Sequence, residues 1–262
     1  SSILTGEPIF INSSLISSRN KYLGDSEVKV DDLFKTTIPA YLIAEYPIGR
    51  IVSGKNIDTP RSMASLTKIL VASAALNQDF NLTKSSVYSS VKQKSSGRLL
   101  TLKNGATLGN LDLLNAMIIG STNNTARMVA QNSGASETEF INKIKTRLNN
   151  WAADGTTITD VTGLDPKNKS TPRNLLKIAT KALENSTIKT ALSKAAYSFK
   201  ELVSKTTHTV TGLSVTAPAG TKNYKVLASK TGSTDEAGVV TLLLVESVKN
   251  KKQYKNIPHH RT

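Results

Sequence analysis

The chain is 262 residues long, with a formal net charge of +15 and no cysteine. That length supports one sizeable core, or two subdomains sharing one, and 38% apolar with 20% charged residues excludes a disordered chain. The lack of cysteine excludes a disulfide scaffold, a thiolate metal site and a cysteine nucleophile.

Residues 1–37 read as an N-terminal extension of unclear role, with a short strand at Pro8–Ile11 and the start of a helix at Val28–Phe34. From Ala40 the pattern sharpens. Tyr41–Tyr46 and Arg50–Ser53 are strand-like runs around Pro47-Ile48-Gly49, which predicts a hairpin. Asp58–Ala64 is an extended lead-in to Ser65, and Leu66–Leu76, rich in Ala and Leu, predicts a buried central helix. Leu82–Leu102 reads as loops with short strands. Helices are expected at Leu108–Ile119, Thr125–Asn132 and Glu137–Leu148, with Ser136 capping the last. Thr171-Pro172 opens a further helix running to Leu183. Strands return at Lys225–Ser229, Val239–Val245 and Tyr254–Ile257.

Strands at both ends around a helical middle predict an α+β fold: an antiparallel sheet flanked by helices. The expected organisation is one domain over 38–262, its mainly helical subdomain inserted at about 77–200 between sheet segments. The longest apolar runs, Ile69–Ala72 with Ala74–Leu76 and Val239–Val245, are too short for a transmembrane segment. The chain starts with neither Met nor a signal-peptide pattern, as a processed or trimmed form would.

Three motifs carry chemistry, in this order: Ser65-Leu66-Thr67-Lys68, Ser121-Thr122-Asn123 and Lys230-Thr231-Gly232. Singly they say little, since S-x-x-K recurs at Ser18–Lys21, Ser26–Lys29, Ser89–Lys92 and Ser186–Lys189. Order and context are the signal. Ser65 and Lys68, three apart at a helix start, share a face. A serine hydroxyl needs a neighbouring base, and a lysine is one only when burial and a nearby cation keep it neutral. Lys230 can be that cation. Ser121 can relay a proton, Asn123 can hold Lys68 or a substrate, and Gly232 permits a substrate backbone to approach closely.

With this triplet the chain resembles the low-molecular-mass penicillin-binding proteins of the D-alanyl-D-alanine carboxypeptidase/endopeptidase type. The likeness runs from about Ala40 to Ser247. It takes in the hairpin, Ala64–Leu70, Thr162-Gly163-Leu164-Asp165 with Ser170-Thr171, and Lys230–Thr234 with Ala237-Gly238. The resemblance implies a β-lactamase/transpeptidase-like fold and a serine D-Ala-D-Ala carboxypeptidase acting on peptidoglycan stem peptides through an acyl-enzyme on Ser65. Cross-link cleavage by a D,D-endopeptidase is the alternative.

The same resemblance implies Ser65, Lys68, Ser121, Asn123 and Lys230 as catalytic residues. Thr231, Gly232, Ser233 and Thr234 would bind substrate, and backbone N–H groups of Ser65 and Ser233 would form the oxyanion hole. No metal or cofactor is implied. β-Lactams would be inhibitors, and the protein would be exported, periplasmic or wall-associated.

Two departures stand out. Family members of this type often grip the substrate carboxylate with an arginine shortly before K-T-G, yet no Arg occurs between Arg173 and Lys230. Relatives also continue past the point reached by Tyr254 with a strand, a long helix and often a further domain, so another segment or a partner is expected to cover the sheet.

A class A β-lactamase shares the triplet but needs a glutamate downstream to activate the deacylating water. Trp151–Pro166 holds only Asp154, Asp160 and Asp165. A non-catalytic wall-binding protein would explain the charge and the unusual ends, but not why every catalytic position is filled. The lysine excess, with a basic end at Lys249, Lys251, Lys252 and Lys255, suits anionic wall polymers. With 5% aromatics and no RNP-like or zinc-finger spacing, no nucleic-acid partner is expected.

Overall fold

A computed structural model describes residues 37–76, 80–133, 136–212 and 224–247. The elements expected at Pro8–Ile11, Val28–Phe34 and Tyr254–Ile257, and the basic end at 249–255, lie outside the described residues.

The hairpin forms as β1 (Tyr41–Glu45) and β2 (Arg50–Lys55), antiparallel from Tyr41↔Lys55 to Glu45↔Arg50. Gly49 supplies a left-handed turn residue (φ 77°), and Arg50 Nε donates to Glu45 Oε2 at 2.9 Å across the turn. After the two-residue β3 (Arg61–Ser62), a single 3-10 turn at Ala64–Leu66 leads into α1 (Thr67–Leu76). Thr67 to Ala75 are all buried, so α1 is the central helix its composition predicted.

The helices around α1 follow local signals. β4 (Ser85–Val87) pairs with β5 (Thr107–Gly109), which leads into α2 (Asn110–Gly120) and α3 (Asn123–Gln131). Ser136 caps α4 (Glu137–Asn150) through a complete capping box: Glu139 N–H donates to Ser136 Oγ (3.3 Å) and Ser136 N–H to Glu139 Oε2 (2.8 Å). β6 (Lys169–Ser170) pairs with β3, and Thr171 Oγ1 then caps α5 (Pro172–Leu183) by accepting from Asn174 N–H at 3.1 Å. Such caps contribute about 1 kcal/mol each.

Three further elements have no counterpart in the sequence reading: α6 (Ser186–Leu192), β7 (Ala196–Lys200) and β8 (Thr207–Thr211), the last two paired antiparallel. A seven-residue helix and short polar strands carry too little periodicity to stand out.

The chain closes with β9 (Tyr224–Thr234) and β10 (Gly238–Ser247). Lys230-Thr231-Gly232 does not lie between two strands, as its flanks suggested. It falls inside β9, with Lys230 opposite Leu242 and Gly232 opposite Val240. Glycine and lysine are weak strand formers, and here the pairing with β10 overrides that preference.

The α+β class is as expected, but the sheet is not one platform. Among the described residues it consists of five two-stranded antiparallel pairs. The β1–β2 and β9–β10 hairpins are not hydrogen-bonded to each other there. Helices connect them instead, α5 packing on β1 and α6 on β9.

Candidate active site

Ser65 sits in the 3-10 turn between β3 and α1, half-buried, on a buried left-handed residue (Ala64, φ 45°). A non-glycine residue there is uncommon and held by its surroundings. Gly163 (φ 84°) lies so close that a Cβ on it would meet Ala64 O at 2.0 Å. On the other side, a Cβ on Gly232 would meet Ser65 N at 2.6 Å. The nucleophile turn is thus held between two glycines, and the close approach that Gly232 permits is by the Ser65 backbone.

Lys68, one helical turn on, is fully buried. Its Nζ lies 3.0 Å from Ser65 Oγ, 2.7 Å from Asn123 Oδ1 and 2.6 Å from the Thr162 carbonyl. Burial pushes its pKa well below the ordinary lysine value, and the charge of Lys230 pushes the same way. The charge of Asp160 opposes them more weakly. A neutral Lys68 can donate to Asn123 and Thr162 and turn its lone pair to the Ser65 hydroxyl.

Ser121 is the left-handed C-cap of α2 (φ 54°), and Asn123 is the first residue of α3. The two helices therefore meet at the S-x-N motif. Asn123 is clamped by the turn before β5: its N–H donates to Arg98 O and its Nδ2 to Ser96 O, both at 2.8 Å. Lys230 Nζ reaches across from β9 to donate to Ser121 Oγ at 2.9 Å and to Thr231 O at 2.8 Å. Burial lowers its pKa to about 7, and the Arg98 guanidinium adds to the effect.

Ser65, Lys68, Ser121, Asn123 and Lys230 thus form two hydrogen-bonded groups, Ser65–Lys68–Asn123 and Ser121–Lys230, coupled through the charges of the lysines. Of the four expected substrate-binding positions, Thr231 is half-buried, Gly232 buried and Ser233 exposed. Thr234 Oγ1 accepts from Ala237 N–H at 3.1 Å and so serves the β9–β10 turn.

Sequence reading missed the support behind Lys68. Asp160 Oδ2 accepts from Thr162 N–H (2.9 Å) and from the Thr162 hydroxyl, and its Oδ1 accepts from Gly163 N–H (3.1 Å) and Asn168 Nδ2 (2.9 Å). Asn168, fully buried, also donates to Thr67 Oγ1 at 3.1 Å. This network aims the Thr162 carbonyl at Lys68. An aspartate two residues before Thr-Gly is an Asx-turn signal that could have found it. Among the described residues no cluster of His, Asp and Glu could hold a metal ion, and no helix is long and apolar enough to cross a membrane.

The sequence profile of the D-alanyl-D-alanine carboxypeptidase family, peptidase family S11, matches residues 25–256. A D-alanyl-D-alanine carboxypeptidase of Streptomyces sp. strain K15 is 31% identical over 166 residues, 58% of this chain and 56% of the relative. A D-alanyl-D-alanine endopeptidase of Haemophilus influenzae is 25% identical over 151 residues, 57% of this chain and 52% of the relative. The chain thus spans about half the length of the curated relatives it matches. The crystal structure of the Streptomyces K15 DD-transpeptidase superposes with a TM-score of 0.69 at 25% identity, covering 82% of this chain and 92% of that one.

Proposed function

The chain belongs to the D-alanyl-D-alanine carboxypeptidase family, and from that premise we propose that it is a serine D,D-peptidase removing the terminal D-alanine from peptidoglycan stem peptides. The observation that carries the reading is the setting of Lys68: fully buried, with a lowered pKa, and 3.0 Å from Ser65 Oγ.

Neutral Lys68 takes the Ser65 proton as Oγ attacks the carbonyl carbon between the two D-alanines. Backbone N–H groups of Ser65 and Ser233 receive the negative charge on the carbonyl oxygen; one such donor is worth about 3–4 kcal/mol in other serine enzymes. Collapse breaks the C–N bond. The leaving nitrogen takes a proton from Ser121, which is refilled from Lys230, its neighbour at 2.9 Å. Once the amine has left, Lys68 gives up its proton and Lys230 regains one; water then attacks the acyl-enzyme, neutral Lys68 taking its proton and passing it to the Ser65 oxygen as that departs. Thr231 and Ser233 line the substrate strand.

β-Lactams enter the same path and stall as the Ser65 ester. Such a substrate places the protein outside the cytoplasmic membrane, where its basic charge suits anionic wall polymers. Cross-link cleavage uses the same steps with a larger leaving amine, and the name of the Haemophilus influenzae relative favours it as the second reading.

The test is intact mass after incubation with benzylpenicillin, with Ser65→Ala as control. A persistent adduct on the unaltered protein alone supports the reading. Rapid drug loss without adduct would make the protein a β-lactamase, and neither adduct nor drug loss would make it non-catalytic.

A further inference from the structure

The side-chain amide of Asn123 has a direction, and the base depends on it. Neutral Lys68 has two N–H donors and one lone pair. Asn123 Oδ1 and the Thr162 carbonyl take the donors at 2.7 and 2.6 Å, which leaves the lone pair for the Ser65 hydroxyl at 3.0 Å. Turned over, the same amide would present Nδ2 to Lys68. An N–H would then occupy the lone pair, and Ser65 would face a base already bonded.

Ser96 prevents that rotation. Its carbonyl can only accept, and Asn123 Nδ2 donates to it at 2.8 Å. A rotated amide would set Oδ1 against this carbonyl, two acceptors with no proton between them. The carbonyl is held in turn by residues 96–100, which lie against the start of α3. Arg98 O accepts from Asn123 N–H at 2.8 Å. Two residues further on, both backbone groups of Leu100 are taken by Asn124, which is 2% exposed. Asn124 Oδ1 accepts from Leu100 N–H at 3.0 Å, and its Nδ2 donates to Leu100 O at 2.8 Å. The Leu100 side chain is itself anchored in the hydrophobic core. Between these contacts Gly97 (φ 69°) is exposed and lets the turn lie close, since a Cβ there would sit 3.0 Å from Asn123 Nδ2 and 3.6 Å from Leu164 Cδ2.

We propose that Asn124 is a positioning residue for the base: by locking Leu100 it fixes the 96–100 turn, whose Ser96 carbonyl keeps the Asn123 amide oxygen on Lys68. The working unit of S-x-N thus extends one residue further, to a side chain that acts through the main chain of the turn. Among the described residues the hydrogen bonds of the Asn124 side chain go to Leu100 alone, so it reaches the chemistry only through Asn123. The assignment rests on the D,D-peptidase reading, since acylation of Ser65 is what reports it.

The experiment follows benzylpenicillin acylation across pH for the unaltered protein, Asn124→Ala and Gly97→Ala, with urea unfolding of each. Asn124→Ala frees the turn and lets the Asn123 amide rotate. A rotated amide bonds to neutral Lys68 and repels its protonated form, so the rising limb should move to lower pH. The maximal rate should fall at the same time, by up to about 100-fold for a misplacement of about 1 Å. Lys230 and Asp160, the charged groups that act on Lys68, are unaltered in both variants. Gly97→Ala crowds the same amide from an exposed position; it should shift the limb the same way, and it decides the matter if Asn124→Ala does not fold. A limb that stays in place or moves upward overturns the assignment, whatever happens to the maximal rate or to the urea midpoint. If the unaltered protein forms the adduct and the variants keep its limb, only the Asn124 assignment falls. If it forms no adduct, the peptidase reading falls and takes this inference with it.

Discussion

Lys68 Nζ lies 2.7 Å from Asn123 Oδ1, joining residues 55 apart in the chain through a buried contact with no carboxylate in it. A neutral amide there satisfies the lysine without holding its proton. Asn123→Asp puts an opposite charge at the same distance and raises the Lys68 pKa, by about 1–3 units for such pairs. The rising limb of penicillin acylation should therefore move to higher pH and the maximal rate should fall. Stopped-flow acylation across pH separates this from misfolding, which no pH would rescue.

The two lysines predict a bell-shaped pH dependence of acylation. The rising limb is Lys68 losing its proton, displaced well below the ordinary lysine range. The falling limb is Lys230 losing its own, at about 7. Arg98 helps hold Lys230 low, so Arg98→Ala should move the falling limb upward. A substrate carboxylate does the same, and the falling limb of kcat should lie above that of kcat/KM. Matched limbs in all three measurements would count against Lys230 as the titrating group.

Gly232→Ala brings a methyl group to 2.6 Å from Ser65 N and 3.1 Å from Ala64 Cβ. Backbone must give way on one side. The nucleophile and its oxyanion donors then lose alignment, and misplacement by about 1 Å costs on the order of 100-fold in rate. We expect acylation to fall by that order while far-ultraviolet circular dichroism stays close to that of the unaltered protein.

Asp160→Ala removes the acceptor for Thr162 N–H, Gly163 N–H and Asn168 Nδ2 together. The cost should be about 1–3 kcal/mol in urea unfolding, because part-buried donors are left without partners. The same change removes the charge that raises the Lys68 pKa, so the rising limb should shift to lower pH. A loss of stability with a fixed limb would limit Asp160 to a structural part.

Stability should itself depend on pH through Lys230. Its pKa is about 7 folded, against the ordinary 10.5. The unfolded chain therefore binds more protons between those values, and stability rises with pH across that window. The contribution is fully present above the unfolded value and lost as pH falls through about 7. Lys68 acts in the same direction. Lys230→Met keeps the bulk and removes the charge, so the rise in Tm from pH 7 to 10 should flatten.

Much of the fold was legible because its signals are local. The apolar run of α1, the Ser136–Glu139 box and the Thr171-Pro172 start each act within one helical turn, and each helix formed within about two residues of its expected start. β7, β8 and α6 were not legible, being short and polar. K-T-G follows the run Lys225–Ser229 and precedes Val239–Val245, so in sequence it reads as lying between two strands, whereas ladder bonds to β10 carry β9 through it.

By itself the sequence determined the chemical inventory and its order: a serine with a lysine one turn on, an S-x-N, a K-T-G, no cysteine and no arginine between Arg173 and Lys230. Those follow from covalent spacing and composition. Only the tertiary structure decided that Asn123 faces Lys68, that Lys230 meets Ser121 across 109 residues, and that Asp160 and Asn168 set the Thr162 carbonyl behind the base. The lowered lysine pKa values belong to this second group, because burial and the distance between two cations exist only once the chain has folded.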